Sequence, residues 1–227
     1  LSACRVYVGT VASVSSRTEL FKLKHFDVAI IDEASQIIES QLLWILTAKT
    51  PEGKNAVDKF ILIGDHKQLP AVVLQSEEES EVFDERLHQA GVRNLRDSFF
   101  ERLYHLYASE KDLPIVDMLC RQGRMHPGIA SFPNKAFYGG RLEAVGLPHQ
   151  QEALDKPVIF IPSQVDKESL SGKTNCYEAR MVADWAERIW NESPESFDPN
   201  RTLGIITPYR SQIAMIRKEL QDKGIPA

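Results

Sequence analysis

The amino-acid sequence predicts an α/β fold of the doubly wound kind, with parallel sheets flanked by helices. Three observations carry this expectation. Six short apolar runs stand apart along the chain: CRVYVGTVASV, FDVAIIDEAS, KFILIGD, LPIVDML, PVIFI and TLGIITPY. Each is rich in Val and Ile and gives way to polar or turn residues, as strands buried on both faces of a parallel sheet do. Segments of helical periodicity lie between them, and strands that alternate with helices build parallel sheets whose ligands collect at the strands' carboxyl ends.

Taken in order, the first run reads as a strand at residues 4–14, and FDVAIIDEAS follows as a second. ESQLLWILTA supplies a crossover helix that brings KFILIGD alongside that second strand. The acidic stretch SEEESE at 76–81 reads as a solvated loop. NLRDSFFERLYHLY places Leu95, Phe99, Leu103 and Leu106 on one helical face. A domain boundary is expected near 110–125, where SEKDLPIV resets the pattern, giving domains of 1–115 and 116–227. Beyond it, EARMVADWAERIW aligns Val182, Ala186 and Ile189, and SQIAMIRKELQDKG aligns Ile213, Ile216 and Leu220 before Gly224, a C-terminal cap.

Composition sets bounds on function. With 227 residues, 43% of them hydrophobic and 26% charged, the chain has room for a real core. A formal charge of −5 gives no overall basic footprint, although a local groove can be basic on an acidic protein. Cys4, Cys120 and Cys176 are widely spaced and form no C-x-x-C pair. This argues against a disulfide framework or a zinc site, so a reducing, cytoplasmic setting is expected. No apolar run approaches the roughly 20 residues that span a bilayer. The chain starts without Met and inside a strand-like pattern, so it reads as a piece of a longer protein.

Chemistry concentrates at the ends of two runs. FDVAIIDEAS delivers adjacent carboxylates, Asp32 and Glu33, at the carboxyl end of a strand. There, one carboxylate can hold Mg²⁺ through its water shell, and the next can orient or deprotonate a water that attacks a γ-phosphate. The plainer alternative is a polar exit from a buried strand. KFILIGDHKQLPAV repeats the geometry, ending in Gly64-Asp65 before a turn that presents Lys67, Gln68 and Pro70. A neutral amide such as Gln68 can bond both a phosphate oxygen and the attacking water; an ordinary Gly-Asp-Pro turn is the alternative. Arg121 and Arg124, in CRQGRMHPG, suit an arginine finger, against the alternative of a salt-bridged surface arginine.

The stretch SGKT at 171–174 looks like the tail of a phosphate-binding P-loop, yet the required upstream glycine falls on Lys167. Asn175 and Glu178 instead read as a helix N-terminal capping pair, which makes SGKT a loop and not a P-loop.

The order GTVASV, IIDEAS, GDHKQLPAV, RMHPGIASFPNKAFYGGRL, NCYEA and TPYRSQ resembles superfamily 1 nucleic-acid helicases, over about residues 6–217. The branch is that of the RNA helicase of nonsense-mediated decay and the replication helicase-nuclease. The resemblance implies parts of two RecA-like domains with ATP and Mg²⁺ between them and a single strand of nucleic acid crossing both. It implies that Asp32 is the magnesium-associated carboxylate, Glu33 the catalytic one, Gln68 the γ-phosphate sensor and Arg124 an arginine finger. Asp65 and Gln122 fall in the nucleotide-binding motifs. Thr10 and Ser13 match a motif that touches the nucleic-acid backbone, and Thr207, Pro208 and Tyr209 match a second-domain motif lining the strand or the cleft.

Many such helicases read Q-Y-R-M-H-P, with an aromatic that stacks on the nucleotide base. Here Gly123 stands in its place and cannot stack. The P-loop and the last motifs are expected outside residues 1–227, and a fused nuclease domain would also lie there. DNA is favoured over RNA as the strand. A non-catalytic nucleic-acid clamp on the same scaffold is the competing expectation.

Overall fold

The computed structural model describes residues 3–109 and 115–226. The expected boundary region begins on residues 110–114, which lie outside the described residues, as does the start of the LPIVDML run. The chain divides into two compact units, 1–152 and 153–227.

In the first unit, helices α1 (Val11–Ser15) and α2 (Glu19–Leu23) precede strand β1 (Phe26–Ile31). Helix α3 (Glu39–Leu46) then crosses over to β2 (Val57–Leu62), which lies parallel to β1 with Phe26 opposite Val57 and Ile31 opposite Leu62. This is the crossover expected from the sequence. Helix α3 buries Leu42 and Ile45 against Phe21, Ile31, Ala34, Ala56 and Val57, which form the unit's core. Trp44 packs edge-on to Phe21 with ring centroids 5.8 Å apart.

Helices α4 (Glu85–Gln89) and α5 (Phe99–Tyr107) follow. Helix α5 starts four residues later than Leu95, because the Ser98 hydroxyl accepts the Glu101 amide at 3.1 Å and sets the N-terminus there. Leu95 therefore lies outside the helical face and is exposed. A short parallel pair, β3 (Arg121–Gln122) and β4 (Glu143–Ala144), brackets helix α6 (Pro127–Phe137), and α7 (Pro148–Gln151) completes the unit. Arg102 ties α5 to α3 through a two-pronged, largely buried ion pair with Glu39, at 2.7 and 2.5 Å.

The second unit is built on α8 (Cys176–Glu192) and α9 (Arg210–Asp222). Ala179, Ala183 and Ala186 form a small-residue stripe against Ile216, Leu220 and Ile225. Val182 packs at its edge, so the buried stripe is shifted from the expected Val182, Ala186 and Ile189. Gly224, at φ 69°, ends α9 as the sequence predicts. The Ile225 amide reaches back to Leu220 O and the Gly224 amide to Gln221 O, which is the Schellman arrangement, and Ile225 and Leu220 share the core.

The α/β class with parallel pairing holds, but fewer strands form than expected. Residues 4–10, 115–119, 157–161 and 202–209 carry no strand. A strand exists only where a neighbour pairs with its backbone, and these runs have no partner among the described residues. Val8, Phe160 and Ile206 accordingly stand 95%, 88% and 97% exposed.

Candidate functional site

The ends of β1 and β2 are joined by backbone. The Ile63 amide bonds Ile31 O at 2.9 Å, and the Ala34 amide bonds Ile63 O at 2.7 Å, so the parallel ladder continues into the loops that carry the acidic residues. Asp32 and Glu33 stand exposed immediately beyond Ile31. Glu33 adopts φ 52°, ψ 35°, and among the described residues no other non-glycine has a positive φ. A left-handed glutamate costs on the order of 1–3 kcal/mol and persists only where its surroundings fix it. Three bonds do so here. Asp32 Oδ1 accepts the Glu33 amide at 3.0 Å, Gln36 donates to Glu33 Oε2 at 3.1 Å, and the Ala34 amide is held by Ile63 O, just past β2.

The Gly64-Asp65 loop is packed directly onto this turn. A Cβ on Gly64 would lie 2.8 Å from the Ser35 backbone nitrogen, closer than side chains are found, so only glycine permits the approach. Buried Ser35 uses the contact, its Oγ accepting the Asp65 amide at 3.0 Å. Asp65 in turn organises its loop: Oδ1 accepts the Lys67 amide at 2.9 Å and Oδ2 accepts Gln68 Nε2 at 2.9 Å. The Tyr138 hydroxyl donates to the same Oδ2 at 2.6 Å. Partial burial pushes the Asp65 carboxyl up, but the bonds from Tyr138, Gln68 and Lys67 outweigh it and hold it below the usual carboxylate range. Burial, with Asp65 alongside, pushes the Tyr138 phenol up to about 12. His66 stacks on Tyr104 with ring centroids 4.1 Å apart, and burial followed by the Lys67 charge lowers its pKa.

Arg124 belongs to the same compact unit. Its guanidinium is exposed and makes no ion pair among the described residues, unlike the salt-bridged surface arginine considered above. Its loop is built by Gln122, whose Oε1 accepts the Arg124 and Met125 amides at 3.0 and 2.7 Å while Nε2 donates to Met125 O at 2.8 Å. Gln150, 4% exposed, closes the loop from the other side. It donates to Gln122 O and Met125 O and accepts the Gly146 and Leu147 amides. His149 donates to Gly123 O and Arg124 O. A Cβ on Gly123 would lie 3.2 Å from Leu147 Cδ1, so the 145–147 turn occupies the side where an aromatic would begin.

The residues matched to nucleic-acid contacts take structural roles in the described fold. Thr10 caps α1, its hydroxyl accepting the Ser13 amide at 3.1 Å. In the second unit, Thr207, Pro208 and Tyr209 lead into α9 and line a cleft of about 310 Å³. Gly172, Lys173 and Thr174 of the SGKT loop line the same cleft, as does Asn175 after it. Asn175 caps α8 by accepting the Glu178 amide at 3.1 Å, as its spacing predicts. The reciprocal half of the capping pair is absent: Glu178 accepts the Ser163 hydroxyl, and the Asn175 amide goes to buried Gln212.

Ser35, Tyr138, Gln150 and Gln212 are the residues that reading the sequence missed. Gly64 carried a signal for the first, since a glycine at a strand end marks close backbone approach. Tyr138 lies within the quoted FPNKAFYGG stretch but acts across 73 residues, Gln212 acts across 37, and Gln150 joins two local bonds, at Gly146 and Leu147, to two long-range ones.

Residues 95–226 match a family described as an AAA domain, and residues 1–76 match a second family of the same description. DNA-binding protein SMUBP-2 of Rattus norvegicus is 28% identical, over 98% of this chain and 22% of its own length. DNA polymerase alpha-associated DNA helicase A of Saccharomyces cerevisiae is 28% identical, over 96% of this chain and 33% of its own. DNA replication ATP-dependent helicase/nuclease DNA2 of Xenopus laevis is 30% identical, over 87% and 19%. The chain thus spans between about a fifth and a third of the length of these relatives. No helix among the described residues is long and apolar enough to cross a membrane. With its parallel strand pairs, its carboxylates at the strand ends and its match over more than half of its length, the chain belongs to the RecA-like AAA-domain family of superfamily 1 helicases.

Proposed function

We propose that this chain is the central part of an ATP-dependent nucleic-acid helicase, which couples ATP hydrolysis to movement along a single strand and to duplex unwinding. The observation that supports this best is the in-register β1–β2 pair, whose adjacent carboxyl ends bring the Asp32-Glu33 turn and the Asp65–Gln68 loop into direct contact through Gly64 and Ser35. On this reading, residues 1–115 are the later part of one RecA-like domain and 116–227 the earlier part of the next.

The donor set suits the expected ligands. Asp32 spends one oxygen on the Glu33 amide and keeps the other outward, an exposed hard acceptor of the kind Mg²⁺ takes. When bound, Mg²⁺ would neutralise charge on the phosphates of ATP. Glu33, held in a strained pose with Gln36 on one carboxylate oxygen, orients and deprotonates the attacking water with the other. Gln68 gives one amide hydrogen to Asp65, which leaves a second for a phosphate oxygen and its carbonyl for the water. Arg124, without an ion pair among the described residues and on a loop braced by Gln122 and Gln150, supplies positive charge to the transferring phosphoryl group. Asp65 and Gln122 serve the nucleotide through the loops they shape.

The strand runs past Thr10 and Ser13 and past Thr207, Pro208 and Tyr209. Thr10 Oγ1, already accepting an amide, keeps its own hydrogen for a phosphate, and Tyr209 offers a ring for stacking without base readout. The relatives named for DNA favour DNA over RNA, one of them carries a nuclease in its name, and a cytoplasmic setting fits the reduced cysteines.

The test is ATP turnover by the full-length protein with and without single-stranded DNA or RNA, beside Glu33→Gln. Stimulation by the strand that disappears in Glu33→Gln is expected. Equal rates in the two proteins would remove the motor reading and leave a nucleic-acid clamp.

A further inference from the structure

We infer that Tyr138 is a positioning residue for hydrolysis: through Asp65 it fixes the Gln68 amide, and so ties the sensor loop to the helix that follows the Arg124 loop. The inference rests on the helicase reading of this site.

The geometry is a short chain of bonds converging on one oxygen. Asp65 Oδ2 accepts the Tyr138 hydroxyl at 2.6 Å and Gln68 Nε2 at 2.9 Å, while Oδ1 is committed to the Lys67 amide. The carboxylate therefore cannot rotate without breaking three bonds, and Gln68 is left one orientation. A carboxylate held ionised and a phenol held protonated keep the donor and acceptor roles fixed across the physiological range.

Tyr138 is itself rigidly presented. It is the C-cap of α6, its amide bonding Asn134 O at 3.1 Å. Gly139 and Gly140, at φ 59° and 74°, turn the chain sharply after it. The Asn134 side chain clamps that turn from both sides, donating to Leu142 O at 3.0 Å and accepting the Leu142 amide at 2.9 Å. At the other end of the same helix, His126 accepts the Gly128 amide on Nδ1 and donates from Nε2 to Glu152 O, which fixes the start of α6 directly after Arg124 and Met125. One helix thus holds the arginine loop at its beginning and the sensor loop, through Tyr138, at its end. A displacement of α6 moves the two together, which is what coordinated arrival at a γ-phosphate requires.

The experiment is strand-stimulated ATP turnover by the full-length protein as wild type, Tyr138→Phe, Gln68→Ala and the double variant. Tyr138→Phe removes one oxygen and keeps the ring. It is expected to lower kcat about tenfold, the effect of losing one hydrogen bond to a charged group, with KM for ATP unchanged and the melting temperature lowered by a few degrees at most. The double variant is expected to match Gln68→Ala alone, because Tyr138 acts through Gln68. An unchanged kcat in Tyr138→Phe, or losses that multiply in the double variant, would overturn the inference. Full activity in Gln68→Ala would instead overturn the helicase reading of the loop, and the role of Tyr138 with it.

Discussion

Replacing Gly64 with alanine places a methyl carbon 2.8 Å from the Ser35 nitrogen, 0.6 Å short of the 3.4 Å at which ordinary contact begins. The obstructing atom is backbone, so no side-chain rotation relieves it. The two loops must part, and two bonds lie in the way: Asp65 amide to Ser35 Oγ at 3.0 Å and Ala34 amide to Ile63 O at 2.7 Å. Overpacking of this kind costs about 1–3 kcal/mol, and losing one bond adds about 1, so a loss of roughly 2–4 kcal/mol is expected. Because the Ala34 amide helps to hold Glu33 in its left-handed pose, turnover should fall about tenfold or more with it. Urea unfolding and strand-stimulated ATP hydrolysis read the two effects. Gly204→Ala is the control, since its Cβ meets nothing within 4 Å. Stability and turnover in Gly64→Ala equal to those of Gly204→Ala would refute the argument that the two loops are clamped by close backbone approach.

Further predictions concern the scaffold. Arg102→Ala leaves Glu39 largely buried without its partner and is expected to cost about 3 kcal/mol in urea unfolding, with Arg102→Lys rescuing little because the paired fork is lost. Gln150→Leu keeps the volume but strands the Gly146 and Leu147 amides, while Met125 O keeps Gln122 Nε2 and Gln122 O keeps the Val145 amide; a loss of about 2 kcal/mol is expected, and hydrogen exchange at the Gly146 and Leu147 amides should rise. The pKa of His66 is lowered from 6.5, so the unfolded chain takes up the proton first; this group's contribution is present above about pH 6.5 and lost on acidification. The urea midpoint should therefore fall less between pH 7 and pH 5 in His66→Phe, which keeps the ring against Tyr104 but does not titrate.

What the sequence made legible was whatever is encoded locally or by a single crossover. The β1–α3–β2 unit announces itself because two Val- and Ile-rich runs flank one amphipathic segment, and their carboxyl ends must then be neighbours. The caps at Asn175 and Gly224 are readable because Asn and Gly satisfy the helix termini by their own chemistry. SGKT resolves in the same way, as the loop before a capped helix. Local reading overextended α5 to Leu95 because periodicity continued past the point where Ser98 captures the helix start. It also read residues 157–161 and 202–209 as strands, since apolar composition marks a run fit for a sheet but does not supply the neighbour that makes it one. The polar chain from Gln68 through Asp65 to Tyr138 was out of reach, because a bond between residues 65 and 138 depends on how α6 packs. The same holds for Gln150, whose polar character suggests a surface position, whereas its four bonds make a buried one stable.

The most direct test of the account is strand-stimulated ATP turnover by full-length Arg124→Ala beside wild type, with nucleic-acid binding measured in parallel. Loss of about 10³-fold in kcat with the strand still bound is the expected result, since an arginine finger contributes on that order. Turnover within a factor of about two of wild type would contradict it, because the guanidinium would then be a surface charge and the ATPase site would not include the RMHP loop.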